Sequence, residues 1–96
     1  WIKGADICWF GFPISVDGGR PELIKYLEDS GIETRTMFTG NVAKHPAYEK
    51  SVYMISGDLS EADWILEHSL WFTVHPRYTP KDLKYIVKTF NDYFKK

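Results

Sequence analysis

Residues 8–16 alternate in character. Cys8, Phe10, Phe12, Ile14 and Val16 take one parity; Trp9, Gly11, Pro13 and Ser15 take the other. That period of two predicts a strand. Pro13 has no N–H to give a ladder, so the strand must lie at an edge or carry a bulge. Asp17-Gly18-Gly19 ends it in a turn. Pro21 then suits the first position of a helix, where the missing N–H would be unpaired anyway, and Leu23, Ile24 and Leu27 form the buried stripe. Gly31 is the expected left-handed stop, with Ile32 folding back on Leu27 in a Schellman motif.

A second strand is expected over 32–38. Ile32, Thr34, Thr36 and Phe38 point one way; Glu33, Arg35 and Met37 point the other. Residues 52–55, Val-Tyr-Met-Ile, are a short extended candidate. Ser60-Glu61-Ala62-Asp63 resembles a capping box, with Leu59 and Trp64 as its staple, and opens a helix that runs to His68. Leu70, Phe72 and Val74 alternate with Trp71, Thr73 and His75, giving a third strand. Thr79-Pro80-Lys81-Asp82 repeats the start signal, with Tyr78 and Leu83 as staple. Leu83, Ile86, Val87, Phe90 and Phe94 follow at helical spacing, and Lys95 and Lys96 sit where a helix dipole favours cations. The order β-α-β-loop-α-β-α predicts an α/β (α+β) two-layer sandwich, a mainly antiparallel sheet of about three strands with helices on one face. Residues 1–96 read as one domain.

Composition changes that picture in one respect. At 44% hydrophobic and 26% charged, the chain belongs with globular domains. Yet 17% of its 96 residues are aromatic, six Phe, six Tyr and four Trp. A chain this short buries only about 60–65% of its unfolded surface, so some of these rings are expected to face another domain or subunit. The net charge of −1 gives no basic patch for nucleic acid. No apolar run approaches the roughly 18 residues that span a membrane. The single Cys8, most simply a buried strand residue, excludes an internal disulfide and fits a reducing, cytoplasmic setting. The start on Trp1, within ten residues of a strand, reads as a piece of a longer protein.

Candidate chemistry concentrates in residues 33–48. Ordinary connections run about 4–6 residues; this one carries Gly40, Asn41, Lys44, His45, Pro46 and Tyr48, a composition more typical of a contact surface than of a plain turn. Arg35, opposite the inferred core face, offers a fork for carboxylate or phosphate; an ordinary surface pair with Glu33 is the competing reading. Asn41 is either a ligand contact or only a turn residue. His45 and Tyr48 either stack on a ligand or pin the loop to its own domain. Trp9, Trp71 and His75 share the non-core side of their strands and would line an interface or cleft. His45, His68 and His75 show no paired metal-ligand spacing, and no phosphate loop or nucleophile elbow is present.

Three segments taken together carry a resemblance. They are Trp9-Phe10-Gly11-Phe12-Pro13-Ile14; Thr34-Arg35-Thr36-Met37-Phe38-Thr39-Gly40-Asn41 with Pro46-Ala47-Tyr48; and Gly57-Asp58-Leu59 with Leu70-Trp71-Phe72. In this order they resemble the C-terminal small domain of the DegT/DnrJ/EryC1/StrS family, fold-type-I pyridoxal-phosphate enzymes of nucleotide-sugar metabolism. The nearest branch is that of the sugar 3-dehydratases of the CDP-4-keto-6-deoxy-glucose 3-dehydrase type. Two places depart from the pattern: Lys44-His45 where Arg-Gln is common, and Val74-His75-Pro76-Arg77 where a Val-Tyr-Pro-Gly-like turn is common.

The resemblance implies removal of the 3-hydroxyl of a 4-keto-6-deoxyhexose for dideoxysugar and lipopolysaccharide O-antigen synthesis, with PLP or PMP as electron sink. It places the catalytic residues, and any 2Fe-2S ligands, in a large domain outside this chain, so these residues alone would be inactive and hold no metal. Arg35 and Asn41 become candidate polar contacts to sugar or cofactor, Phe38 and Tyr48 pocket walls, and His45 a further contact. The implied partners are the nucleotide sugar, the large domain, a second subunit and a reductase. An amino-sugar aminotransferase of the same family is the nearest alternative; a non-catalytic binding module is the alternative from another class.

Overall fold

The computed structural model describes residues 2–95. Its elements are β1 (Gly11–Ser15), α1 (Arg20–Asp29), β2 (Thr34–Thr36), two single 3₁₀ turns (Val42–Lys44 and Pro46–Tyr48), α2 (Ser60–His68), β3 (Ser69–Thr73) and α3 (Pro80–Phe94). The strands form one sheet in the order β1-β3-β2, with both pairings antiparallel. The expected two-layer arrangement is therefore present. Pro13 lies in an edge strand, opposite Trp71, as its missing donor requires.

The core is small. Leu23 and Leu27 of α1, Ile32, and Leu70 of β3 are buried, and Ile14, Phe72, Ile86, Phe90 and Tyr93 pack around them. Thr34 is buried among these groups, and its hydroxyl is satisfied by donating to Glu28 Oε1 at 2.9 Å. Burying it without that acceptor would cost free energy. At the start of α1, Arg20 Nη1 donates to the carbonyls of Leu66 (2.6 Å) and Ser69 (3.2 Å), tying α1 to the junction of α2 and β3.

Local signals set most of the boundaries. Gly31 is left-handed (φ 77°). Ile32 N donates to Leu27 O and Gly31 N to Glu28 O, both at 2.9 Å, which is the expected Schellman stop. Thr79 and Asp82 close a reciprocal capping box at the start of α3.

Elsewhere the structure corrects the sequence reading. Cys8 and Phe10 precede β1, and Cys8 is exposed, not buried in a strand. The strand expected over 32–38 is only three residues long. Phe38 turns left-handed (φ 46°) and is 79% exposed, where alternation placed it inside. Residues 52–55 form no strand, because no described segment pairs with them. Ser60 does not cap α2; the Asp58 carboxylate accepts from both Ser60 N (3.0 Å) and Ser60 Oγ (2.6 Å). Within α3, Ile86 and Phe90 reach the core, whereas Leu83, Val87 and Phe94 are exposed. The apolar arc of α3 is wider than the sheet it covers.

The exposed surface is large for the chain's size. It measures 7843 Å², against roughly 5,700 Å² for a compact monomer of this mass. The radius of gyration is 16.2 Å, against about 12–13 Å for a compact domain of this length. Leu27→Ala should cost about 2–5 kcal/mol in chemical denaturation. Leu83→Ala, on the exposed side of α3, should cost well under half as much. Equal losses would mean that the core is misplaced here.

Candidate functional site

The loop after β2 is built by a run of short-range bonds. Phe38 N donates to Thr36 O and Gly40 N to Met37 O, both at 2.7 Å, which turns the chain off the sheet edge. Gly40 is left-handed (φ 56°), and a Cβ there would lie 2.5 Å from both Cα and Cβ of Leu66 in α2. Only glycine permits this conformation and this approach together. Asn41 follows and is 4% exposed. Its Oδ1 accepts from Ala43 N (3.0 Å), capping the first 3₁₀ turn. His45 caps the second turn by accepting from Ala47 N at Nδ1 (3.2 Å), and its ring lies 5.9 Å from that of Tyr48.

The two turns are tied to α2 through one carboxylate. Asp63 Oδ1 accepts from Asn41 Nδ2 at 2.7 Å, and Asp63 Oδ2 pairs with Lys44 Nζ at 2.9 Å. The Lys44 and Asn41 hydrogen bonds hold the Asp63 carboxyl below the usual carboxylate range, opposed by partial desolvation. The neighbouring Asp58 carboxyl is also held low, chiefly by Ser60. From the far side of the loop, Tyr53 Oη donates to Ala43 O at 3.1 Å.

The structure distributes the predicted site residues over three places. Asn41 and Tyr48 border a cavity of about 640 Å³ between the loop, residues 51–56 and the first turn of α2. Tyr53, Met54 and Ile55 form its other wall. Phe38 lies on the opposite side of the loop, with Trp71 and Phe10 on the non-core face of the sheet. The Trp71 ring covers Gly11, and its Nε1 donates to Thr36 O at 3.0 Å. Arg35 sits beside Glu33 and Glu28, ion-paired to Glu33 and donating to Thr34 O at 2.8 Å. His45 caps its turn at the base of Tyr48. Of the expected face-sharing set, Trp71 lies in the aromatic cleft with Trp9, while His75 lies beyond β3 and accepts from Arg77 N at 3.1 Å.

Sequence reasoning missed Asp63, Leu66 and Tyr53 as parts of this arrangement. Asp63 did carry a signal, the third position after Ser60, but its carboxylate serves the loop and not the helix start. Among the described residues no three His, Cys, Asp or Glu side chains converge on one point. No helix among them is long and apolar enough to cross a membrane.

A three-stranded sheet backed by α1 and α3, with a pinned polar loop beside an aromatic face, defines a small α/β domain with a candidate ligand-facing edge. Residues 2–91 match the model of the DegT/DnrJ/EryC1/StrS aminotransferase family, and the chain belongs to that family. It is 34% identical over 94 residues to lipopolysaccharide biosynthesis protein RfbH of Salmonella typhimurium, covering 94% of this chain and 22% of that one. It is 34% identical over 96 residues to the dTDP-4-dehydro-2,6-dideoxy-D-glucose 3-dehydratase of Saccharopolyspora spinosa, covering 96% and 21%. It is 36% identical over 72 residues to the GDP-4-keto-6-deoxy-D-mannose 3-dehydratase of Yersinia pseudotuberculosis, covering 70% and 18%. The chain thus spans about a fifth of the length of these curated relatives.

Two predictions follow from the loop's geometry. Gly31 and Gly40 are both left-handed, but a Cβ on Gly31 meets nothing within 4 Å. Gly40→Ala should therefore destabilise the protein by about 1–3 kcal/mol more than Gly31→Ala, read from paired denaturation curves. The second concerns pH. Because folding lowers the Asp63 value, the tie to Lys44 and Asn41 contributes fully above about pH 4, the unfolded carboxyl value. It is lost as pH falls through the lower folded value. Protection of the amides of residues 42–48, taken as exchange relative to the intrinsic rate at each pH, should fall over that acid range in the native protein, and that fall should be absent in Asp63→Asn.

Proposed function

We propose that this chain is the substrate-facing small domain of a PLP- or PMP-dependent nucleotide-sugar 3-dehydratase. The substrate is a 4-keto-6-deoxyhexose, and the product enters dideoxysugar and lipopolysaccharide synthesis. The observation that carries the reading is similarity running through nearly the whole chain to a lipopolysaccharide biosynthesis protein and a nucleotide-sugar 3-dehydratase. A second 3-dehydratase matches over a shorter stretch. The family's own description as aminotransferases favours one second reading, an amino-sugar aminotransferase that restores its cofactor with glutamate.

The described residues do not by themselves form a cofactor pocket. Lys44, the lysine of the loop, is tied to Asp63. Arg35 is paired with Glu33, and Asn41 uses both of its polar side-chain atoms within the domain. When bound in the parent protein, the cofactor supplies the electron sink. Its ligands, and those of any iron–sulfur centre, belong to the large domain. The part played by this chain is to bind, orient and exclude water. Phe38 and Trp71 offer an aromatic face, Tyr48 and Tyr53 wall the neighbouring cavity, and closure over the sugar would dry the site. Asn41 and His45 act by holding the loop, and Arg35, at present paired with Glu33, is the candidate polar contact from β2. The parent acts as a cytoplasmic homodimer and works with a reductase. The exposed apolar surface supports a parent that covers this domain.

The test is the parent enzyme with cofactor, reductant and a dTDP- or GDP-linked 4-keto-6-deoxyhexose. A product lacking the C3 hydroxyl, read by mass spectrometry and NMR, is expected. An amino group on the sugar in the presence of glutamate would select the aminotransferase, and no reaction of either kind would remove both readings. Phe38→Ala should raise KM for the sugar nucleotide about two- to tenfold, the range for loss of one aromatic contact. If Phe38→Ala and Arg35→Ala both leave affinity and turnover unchanged, neither residue belongs to the site.

A further inference from the structure

We propose that Asp63 is a positioning residue. It clamps the loop to α2 and so fixes Tyr48 and the adjoining cavity wall for the nucleotide-sugar substrate. The substrate half of this proposal rests on the function proposed above; the clamp itself does not.

The geometry forms a chain of dependence. One carboxylate oxygen takes Asn41 and the other takes Lys44. These residues bracket the first 3₁₀ turn, because Asn41 caps its start and Lys44 is its last residue. His45 ends the first turn and caps the second, and Tyr48 ends the second beside the cavity of about 640 Å³. Two short turns that share a cap have little freedom of their own once the first is held at both ends. A turn of this kind has few internal hydrogen bonds and would otherwise open readily.

The character of α2 supports the same reading. None of its residues is buried, so it adds almost nothing to the core that positions α1 and α3. Its backbone carbonyls at Leu66 and His68 anchor it to Arg20 and Val16, while its side chains Asp63 and Leu66 meet the loop. The side-chain contacts that α2 makes with the loop are thus not shared with the core. Asn41 is almost wholly buried, so removing its acceptor leaves a buried donor unpaired and destabilises this arrangement. Lys44 and Asp63 are both partly exposed, so their pairing adds geometric definition more than strength.

Two measurements on the parent enzyme test the proposal, with Asp63→Ala, Asp63→Asn and Lys44→Met as variants. The first is amide exchange over residues 42–48. Asp63→Ala should speed it by on the order of tenfold or more, and Asp63→Asn, which keeps an acceptor for Asn41, should speed it less. Unchanged exchange in Asp63→Ala overturns the clamp, whatever the enzyme's substrate. Should Asp63→Ala fail to fold, Lys44→Met and Asp63→Asn carry the same comparison. The second is steady-state kinetics with a dTDP- or GDP-linked 4-keto-6-deoxyhexose. KM should rise on the order of tenfold with kcat within about twofold, the pattern of lost substrate positioning. Asp63→Ala, Asn41→Ala and the double variant should be non-additive, because the two residues act through one bond. Faster exchange with no change in KM confines Asp63 to structure and overturns the positioning role. Faster exchange in an enzyme that converts no nucleotide sugar overturns the function proposed above and leaves the clamp established.

Discussion

The packing of α1 on β3 is the contact on which the rest of this domain depends. Leu70 lies in the central strand and is fully buried, as are Leu23 and Leu27. Three of the four buried apolar side chains meet there, and burial of a Leu side chain is worth about 1.5–3 kcal/mol. Once α1 sits on β3, the Schellman stop at Gly31 turns the chain straight back into β2, so β1 and β2 come to flank β3 on either side. The loop that follows β2 then leaves from a defined corner of the sheet. α2 returns the chain to β3, and Arg20 ties that return to the first turn of α1. The position of the loop's edge is thus set by where α1 lands, although it lies outside the core.

What could be read from the sequence was what is decided locally. The glycine stop after α1, the Thr79 box, the edge position of Pro13 and the order of the elements each depend on a few neighbouring residues, and each is present. Alternation failed where a tertiary contact overrode it. Phe38 has the parity of a core residue, but Gly40 must reach Leu66, and the turn that brings it there reverses Phe38. Leu83, Val87 and Phe94 have helical spacing, but a three-stranded sheet is too narrow to cover so wide an arc. The same limit applies to the site. That residues 33–48 hold a contact loop was legible from composition. That Asn41 answers to Asp63, 22 positions away, was not, because hydrogen bonds between distant polar residues leave no periodic trace.

The candidate residues do not converge in this chain, and that has a physical reading. Arg35 stands opposite Trp71 in the register of β2 and β3 but is ion-paired to Glu33, Phe38 lies against Trp71, and Tyr48 borders a separate cavity. The described residues therefore present partial surfaces around one loop rather than one enclosed site. The Arg35 surface is charged, whereas the Phe38–Trp71 face and the wall of Tyr48, Tyr53, Met54 and Ile55 are largely apolar.

The surface tells the same story from the outside. An accessible area of 7843 Å² exceeds the compact value by roughly 2,000 Å², and Phe10, Phe38, Val52, Met54, Val87 and Phe94 are among the exposed large apolar side chains. An isolated monomer rarely leaves contiguous apolar patches beyond a few hundred Å². Interfaces between domains of one chain commonly take about 600–1,500 Å², and the excess is larger than that. The high aromatic content is thus not absorbed by the small core, and several of the rings stay exposed in this domain. The loop's tie to α2 adds nothing to this exposed area and takes nothing from the core: it runs through Asp63 and Leu66, while Leu23, Leu27, Ile32 and Leu70 carry the burial.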